Sequence, residues 1–420
     1  MTKPLPPAAG LNALQMFLRE GSPLGPLKVM AKYVGRFFQI PLPFFHPYIV
    51  FGPEANRKIL VTERDKVLWR NTDPVTDVLN RGVLIVDGEE HDHYRGLMEP
   101  ALHPSTLSGY APMILSYTER VSSQWKDGDV VDMLVEGRKI ALLIIMDALF
   151  SKDVWDDIPR IWEPILKAIE FISPGAWILW RNIPRPGFRK PRRELDEYLF
   201  DIIADRRQQR SGTRHDLLQH LIDAGLSDQI IRDQMLTMMI AGHDTSTALL
   251  AWVFAMLGQH PEVHKPLVEE VDTLEKSPLL DQVIKETLRL YPPIHIGNRR
   301  VAQDLHFDEG TIPAGERMFY SIYLTHRDET IWKDAEDFCP ERFAHGRKTP
   351  PFSYVPFGGG PRACIGAAFG QAEARIVIAY LLKHFTFEFT GHPIRAYMGA
   401  TLEPRPGVRM RVKKRVMSNK

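Results

Sequence analysis

From residue 227 to residue 260 the chain carries one unbroken helical pattern, and no other feature limits the fold so strongly. Ser227 is a good N-cap, Ile231, Met235, Met238, Leu249, Val253 and Leu257 recur at helical spacing, and Pro261 ends the run. At 1.5 Å per residue such a helix is about 50 Å long, enough to cross a whole molecule as a central beam. Most of the remaining chain also reads helical, with a second clear helix over residues 281–290 that halts before Pro292 and Pro293. Short strands are predicted at residues 48–51, 311–322, 385–389 and 408–412, with Pro313, Ala314 and Gly315 turning the second of these. The expected class is therefore mainly α with small β-sheets.

The 420 residues, 44% hydrophobic and 25% charged, suffice for a large core, and neither a clear linker nor an internal repeat interrupts them. A net charge of +1 gives the whole chain no field to collect nucleic acid or anionic membrane. The two cysteines, Cys339 and Cys364, are too few for a disulfide framework, a four-cysteine zinc site or an iron–sulfur cluster, and they fit a reducing, cytoplasmic setting. No apolar run is expected to approach the ~18 residues of a membrane span, so no transmembrane anchor is expected. The N-terminus, with Lys3 and Pro4, lacks the order of a signal peptide. Residues 181–193, rich in Pro and Arg, read as an exposed loop, or more sharply as a mobile cover over a substrate entrance.

Phe357-Gly358-Gly359-Gly360-Pro361-Arg362-Ala363-Cys364-Ile365-Gly366 carries the chemistry. Consecutive glycines let the backbone turn and let a flat ligand approach closely, while Phe357 supplies an apolar cover. A cysteine between such a turn and a helix starting near Ile365 has backbone N–H groups close to its sulfur, which favours the metal-binding thiolate. Midway along the long helix, Ala241-Gly242-His243-Asp244-Thr245-Ser246 sets an acid beside an alcohol among apolar neighbours. Thr245 can hydrogen-bond back to a carbonyl and bend the helix, opening a groove at Gly242. A buried acid and hydroxyl make a plausible proton relay, although the two could instead satisfy one another. His243 is assigned no role.

Phe357, Gly360, Arg362, Cys364 and Gly366 match the haem-ligand signature of the cytochrome P-450 superfamily, and the chain resembles that family over nearly its whole length. The resemblance implies a cytochrome P-450 fold in one domain, residues 1–420, without a fused reductase, and haem b held between the long helix and the cysteine loop. Cys364 would be the axial thiolate, a ligand that favours O–O cleavage, for which this family is the standard example. Phe357, Gly358, Gly366, Ala241 and Gly242 would line the cofactor. Thr245 would hold oxygen and its water, and Asp244 would connect the site to solvent protons. Glu286 and Arg289, one turn apart on a helix, with Arg342 of Pro340-Glu341-Arg342-Phe343, are similar to the family's structural triad. His91 and Arg95 look like its propionate-binding helix, joined by Arg362 and by Arg299 or its neighbour Arg300. Residues 75–85, 171–178, 238–241, 294–297 and 398–401 fall where relatives build substrate pockets.

The implied reaction is monooxygenation of an apolar small molecule by O2. A fatty acid, terpenoid, steroid or polyketide would suit. Electrons come from a separate ferredoxin or flavodoxin with its NAD(P)H-dependent reductase, meeting a monomer through Arg95, Arg362 or Arg375. Between Pro261 and Asp281 the connection is shorter than in many relatives. A peroxide-driven peroxygenase, an isomerase and a gas-binding haem protein are the rival readings, all disfavoured by the Asp244–Thr245 pair or by thiolate ligation.

Overall fold

The computed structural model describes residues 7–40, 45–69, 73–174, 185–208, 216–273 and 276–415. Its long helix runs from Asp228 to Gln259, 32 residues, and the Ser227 hydroxyl accepts the Ile230 N–H at 3.4 Å as its cap. Pro261, with no N–H to place, opens the next helix, Pro261–Thr273, which occupies the connection toward residue 281. By length and composition the long helix could cross a membrane, which corrects the expectation that no such stretch exists. Its most apolar window is 83% buried inside the protein, as befits a core beam.

Helix Met133–Phe150 makes the most extensive contact with this beam. Glycine on both helices permits the approach: a Cβ on Gly242 would lie 2.5 Å from Ile145 Cδ1, and one on Gly137 would lie 3.5 Å from Leu250 Cβ. Gly242 is thus a point of helix packing on one side, where Ile145 occupies the space that a side chain would take. One apolar core runs from Val78 to Val412 around these two helices.

Five strands form the largest sheet, in the order Phe37–Gln39, Tyr48–Val50, Arg317–Ser321, Ile296–Val301, Val67–Leu68. The seam between Tyr48–Val50 and Met318–Tyr320 is parallel, and the other pairings are antiparallel. The sheet is therefore shared between early and central chain segments, not confined to an N-terminal portion. Residues 311–322 divide at Gly315, whose φ is 88°, and Ile322 already begins a helical turn. Residues 385–389 form a strand as predicted, while the last strand spans Arg409–Lys414.

The second predicted helix starts earlier, at Pro278, because Ser277 accepts the Leu280 N–H at 3.1 Å. Residues 181–193 are not a loop throughout: a short turn, Pro186–Phe188, leads into helix Arg189–Gln208, and residues 181–184 lie outside the described residues.

Glu286 and Arg289 on helix Pro278–Leu290 are fully buried and paired through two bonds of 2.7 Å. Arg289 also donates to the carbonyls of His326, Ala335 and Asp337. Glu286 accepts the Cys339 N–H at 2.9 Å and Arg342 Nε at 3.3 Å. His326 Nε2 in turn accepts the Val355 N–H at 2.9 Å, which carries the lattice into the approach to the cysteine loop.

Glu286→Gln leaves the Arg289 charge sealed beside a neutral amide. The expected loss is about 3–5 kcal/mol of unfolding free energy by urea titration. A loss below about 1 kcal/mol, typical of a surface pair, would show that the triad bears no structural weight.

Candidate active site

In the cysteine loop Gly358 and Gly360 take left-handed φ values of 70° and 65°. At Gly360 a Cβ would come within 2.1 Å of the Leu60 carbonyl oxygen, so only glycine fits. The Cys364 N–H donates to the Phe357 carbonyl at 2.8 Å and closes the loop. Helix Ala367–His384 begins two residues beyond the predicted Ile365, with Gly366 before its first turn, and a Cβ there would meet nothing within 4 Å. Cys364 has an exposed side chain, yet burial is the largest influence on its thiol and pushes it up. Both follow from an accessible surface that faces an enclosed space rather than bulk water. The Gly366 backbone N–H and the Arg95 charge pull the other way, toward the thiolate.

The long helix is buried on both sides of its centre, but Ala241, Gly242, Thr245 and Ser246 keep accessible surface. Thr245 Oγ1 donates to the Ala241 carbonyl at 2.7 Å, the backward bond anticipated from the sequence. Asp244 does not pair with Thr245. Its Oδ2 accepts from Thr401 Oγ1 at 2.7 Å, and Oδ1 has no hydrogen-bonding partner among the described residues. Burial, aided by the negative charge of Glu403, pushes the Asp244 carboxyl up to about 6. His243 is buried as well, and neither ring nitrogen has a hydrogen-bond partner among the described residues.

The predicted cations come together. Arg362 donates to the Val86 carbonyl at 2.6 Å and to Asp87 at 2.8 Å, and burial pushes it down to about 10. Arg95 reaches the carbonyl of Ala363 at 2.8 Å, next to the cysteine. His91 is buried with Nδ1 on Asp92 at 2.8 Å, and burial, followed at a distance by the charges of Arg362 and Arg95, lowers its proton affinity. Strand alternation separates the candidates in Ile296–Val301: Arg299 is buried over the Trp69 ring at 4.1 Å, whereas Arg300 is exposed. Arg299 and Arg362 lie close enough to repel one another, with Asp87 near both. Such a cluster of cations favours an anionic group. Arg375 lies apart on the surface, paired with Asp281 at 2.7 Å.

Of the segments expected to line a pocket, residues 175–178 lie outside the described residues. Phe171 stacks on Phe188 with ring centroids 3.9 Å apart, under the Arg185 guanidinium. The Ala400 N–H donates to Ser173 Oγ at 2.9 Å, tying the 398–401 turn to the end of helix Ile158–Ile172.

Sequence reasoning missed three polar side chains. Glu373, on the helix after the cysteine loop, accepts from Ser246 Oγ at 2.7 Å and pins that helix to the long one beside Thr245. Nothing in its local sequence marks it as buried. Arg138 and Glu403 form a buried ion pair, and only the spacing Thr401-Leu402-Glu403 hints that Thr401 and Glu403 share one side of an extended segment.

A mainly helical body, a long helix opened at an acid–alcohol pair and a glycine-framed cysteine define a haem-thiolate protein. Residues 4–408 match the cytochrome P450 family, and the chain belongs to it. Among its relatives is cytochrome P450 137 of Mycobacterium tuberculosis, 30% identical, with 92% of this chain and 84% of the relative covered. Cyclooctat-9-en-7-ol 5-monooxygenase of Streptomyces melanosporofaciens is 29% identical, with 84% of this chain and 82% of that enzyme covered. The solved structure of a cyanobacterial CYP120A1 with retinoic acid bound superimposes with a TM-score of 0.86 at 26% identity, covering 96% of each chain. At family level the protein is a haem-thiolate monooxygenase that uses O2 and a redox partner. The residues present fit haem: an accessible sulfur in an enclosed setting, open surface at the centre of a buried helix, and cations grouped beside the loop.

Glu373 provides a test of the interior that needs no substrate. Burial pushes its carboxyl up from 4.5 to about 8, against the opposing bond from Ser246. The folded chain therefore holds this proton to higher pH than the unfolded chain, and the stability linked to it is lost as pH rises from 4.5 toward 8. Glu373→Gln keeps the neutral shape and is expected to gain on the wild type by on the order of a few kcal/mol between about pH 6 and about pH 9. Parallel urea curves with no pH-dependent divergence would contradict this.

Proposed function

We propose that the protein inserts one oxygen atom from O2 into an apolar small molecule, with haem b held through Cys364. The observation that carries this reading is the accessible Cys364 sulfur in a loop that only glycine can build, alongside a buried helix whose surface opens at Ala241 and Thr245. When bound, haem supplies the iron that takes up two electrons and activates O2, and a thiolate ligand assists O–O cleavage. His91, Arg95, Arg299 and Arg362 would bind its propionates, with Arg299 preferred to Arg300 because Arg299 alone of the two is buried beside the Arg362 charge. Phe357, Gly358 and Gly366 would cover one face, and Ala241 and Gly242 the other.

The chain's own chemistry is then proton supply and positioning. Thr245 presents a hydroxyl on the open side of the long helix, anchored on the Ala241 carbonyl, to orient dioxygen. Asp244, with a proton affinity raised into the neutral range, holds and passes a proton from the solvent side. Glu286, Arg289 and Arg342 fix the approach to the loop. The segments at 75–85, 238–241, 294–297 and 398–401 are mostly apolar or small and support an apolar substrate. The Streptomyces relative is named for an apolar alcohol, which agrees. Electrons would come from a ferredoxin or flavodoxin with its NAD(P)H-dependent reductase, docking where Arg95 and Arg375 reach the surface. The core that runs from Val78 to Val412 supports action as one domain.

The purified, reduced protein with carbon monoxide is expected to give the red-shifted Soret band of a thiolate opposite the gas, and Cys364→His an imidazole-type band. A colourless wild type, or an imidazole-type spectrum from it, would refute the assignment. With reduced ferredoxin, O2 and an apolar substrate found by Soret shift, Thr245→Ala is expected to lose roughly 10²-fold in product per NAD(P)H at unchanged haem content. Equal turnover by wild type with hydrogen peroxide alone would point to a peroxygenase instead.

A further inference from the structure

Strand Leu402–Arg405 lies along the long helix, and the strand and the residue before it are each tied to that helix. Trp252 Nε1 donates to the Leu402 carbonyl at 2.8 Å, and Thr401 Oγ1 donates to Asp244 at 2.7 Å. Two residues beyond Thr401, on the same side of the extended chain, stands Glu403, whose side chain is 4% exposed. One of its oxygens takes a hydrogen bond from Arg138 of helix Met133–Phe150, and the other meets Arg405 at 2.8 Å. A carboxylate in the core is thus met by two guanidinium groups, beside a second carboxyl that has one hydrogen-bond donor among the described residues.

We propose that Glu403 is a positioning residue for Asp244, acting with Thr401 and Arg138 to hold that carboxyl against the strand and to govern its charge. This goes beyond the proton role given to Asp244 and rests on it only for its purpose. The groups facing Asp244 from the elements packed on it are Glu403 and Arg405 of the strand and Arg138 of helix Met133–Phe150. Its own neighbour His243 is kept neutral by burial, pushed down to about 3, and Arg138 reinforces this. Glu403 disfavours a second negative charge nearby, while Arg138 and Arg405 favour it. Arg138 and Arg405 are both engaged by Glu403, whose charge opposes their pull on the acid beside them. Arg405 is half exposed, so the cluster reaches from solvent to the long helix through two charged side chains.

The test is an infrared titration of the resting holoprotein, following the carboxylic C=O band that Asp244→Asn removes. Glu403→Gln deletes the like charge and releases Arg138, and it is expected to lower the Asp244 midpoint by about one pH unit. Arg405→Gln, at a site open to solvent, is expected to raise it. An unchanged or raised midpoint in Glu403→Gln overturns the proposal, as does a wild type from which Asp244→Asn removes no band. Should Glu403→Gln fail to fold, Arg405→Gln decides alone, a rise supporting the proposal and no change overturning it. Product formed per NAD(P)H by Asp244→Asn, measured separately, reports whether Asp244 supplies protons, so the two ideas fail independently.

Discussion

A guanidinium sealed inside a protein must find an acceptor for each of its N–H groups, and Arg289 does. Its five donors are taken by Glu286 and by the carbonyls of His326, Ala335 and Asp337. Three of those acceptors belong to a stretch with little regular structure, which has few internal hydrogen bonds to define it. The buried pair supplies that definition. From there the path to the cysteine is short: His326 takes the Val355 N–H, Gly358 donates to the Val355 carbonyl, and Cys364 donates to the Phe357 carbonyl. The position of one sulfur atom thus depends on an ion pair it does not touch, and a flexible stretch of chain acquires the rigidity that a metal ligand needs.

The long helix plays a second structural role, as a spine on which polar groups from separate elements converge. Arg232 joins it to Asp196 of helix Arg189–Gln208 and to the Val78 carbonyl. Gln234 exchanges bonds with Arg81 and Val83 in a turn expected to border the substrate. Farther along, Asp244 meets Thr401 and Ser246 meets Glu373. Each contact satisfies a buried polar group that would otherwise destabilise the core, and together they fix the helix in register against its surroundings. Apolar packing alone would tolerate a slide along the axis; these bonds do not.

The long helix, its cap and its stop were legible because they rest on local rules: a serine before a periodic run and a proline after it. The glycine loop was legible for the same reason, since backbone turns at φ values of 70° and 65° call for glycine locally. The cations of the site could be named individually, but their convergence depends on tertiary packing that spacing cannot express. Arg299 and Arg300 were distinguished only once the strand's two faces were known. Thr401, the partner of Asp244, gave no signal in the sequence, because the turn that bears it lies far along the chain. Glu373 and Arg138 gave no signal at all: a single charge on a helix reads as solvated until the surrounding elements enclose it.

The parallel seam of the main sheet has a consequence for how the protein comes into being. Tyr48, Ile49 and Val50 pair locally with Phe37–Gln39 along one edge, but their other edge cannot pair until Met318, Phe319 and Tyr320 have been synthesised. During translation the early strand waits with its hydrogen-bonding edge partly uncovered while the helical core assembles from the residues between. Contacts this distant in sequence form slowly and leave such an edge open to mispairing with other nascent chains. Along the growing chain the beam therefore comes before the strand that closes the sheet, and the cysteine loop after both.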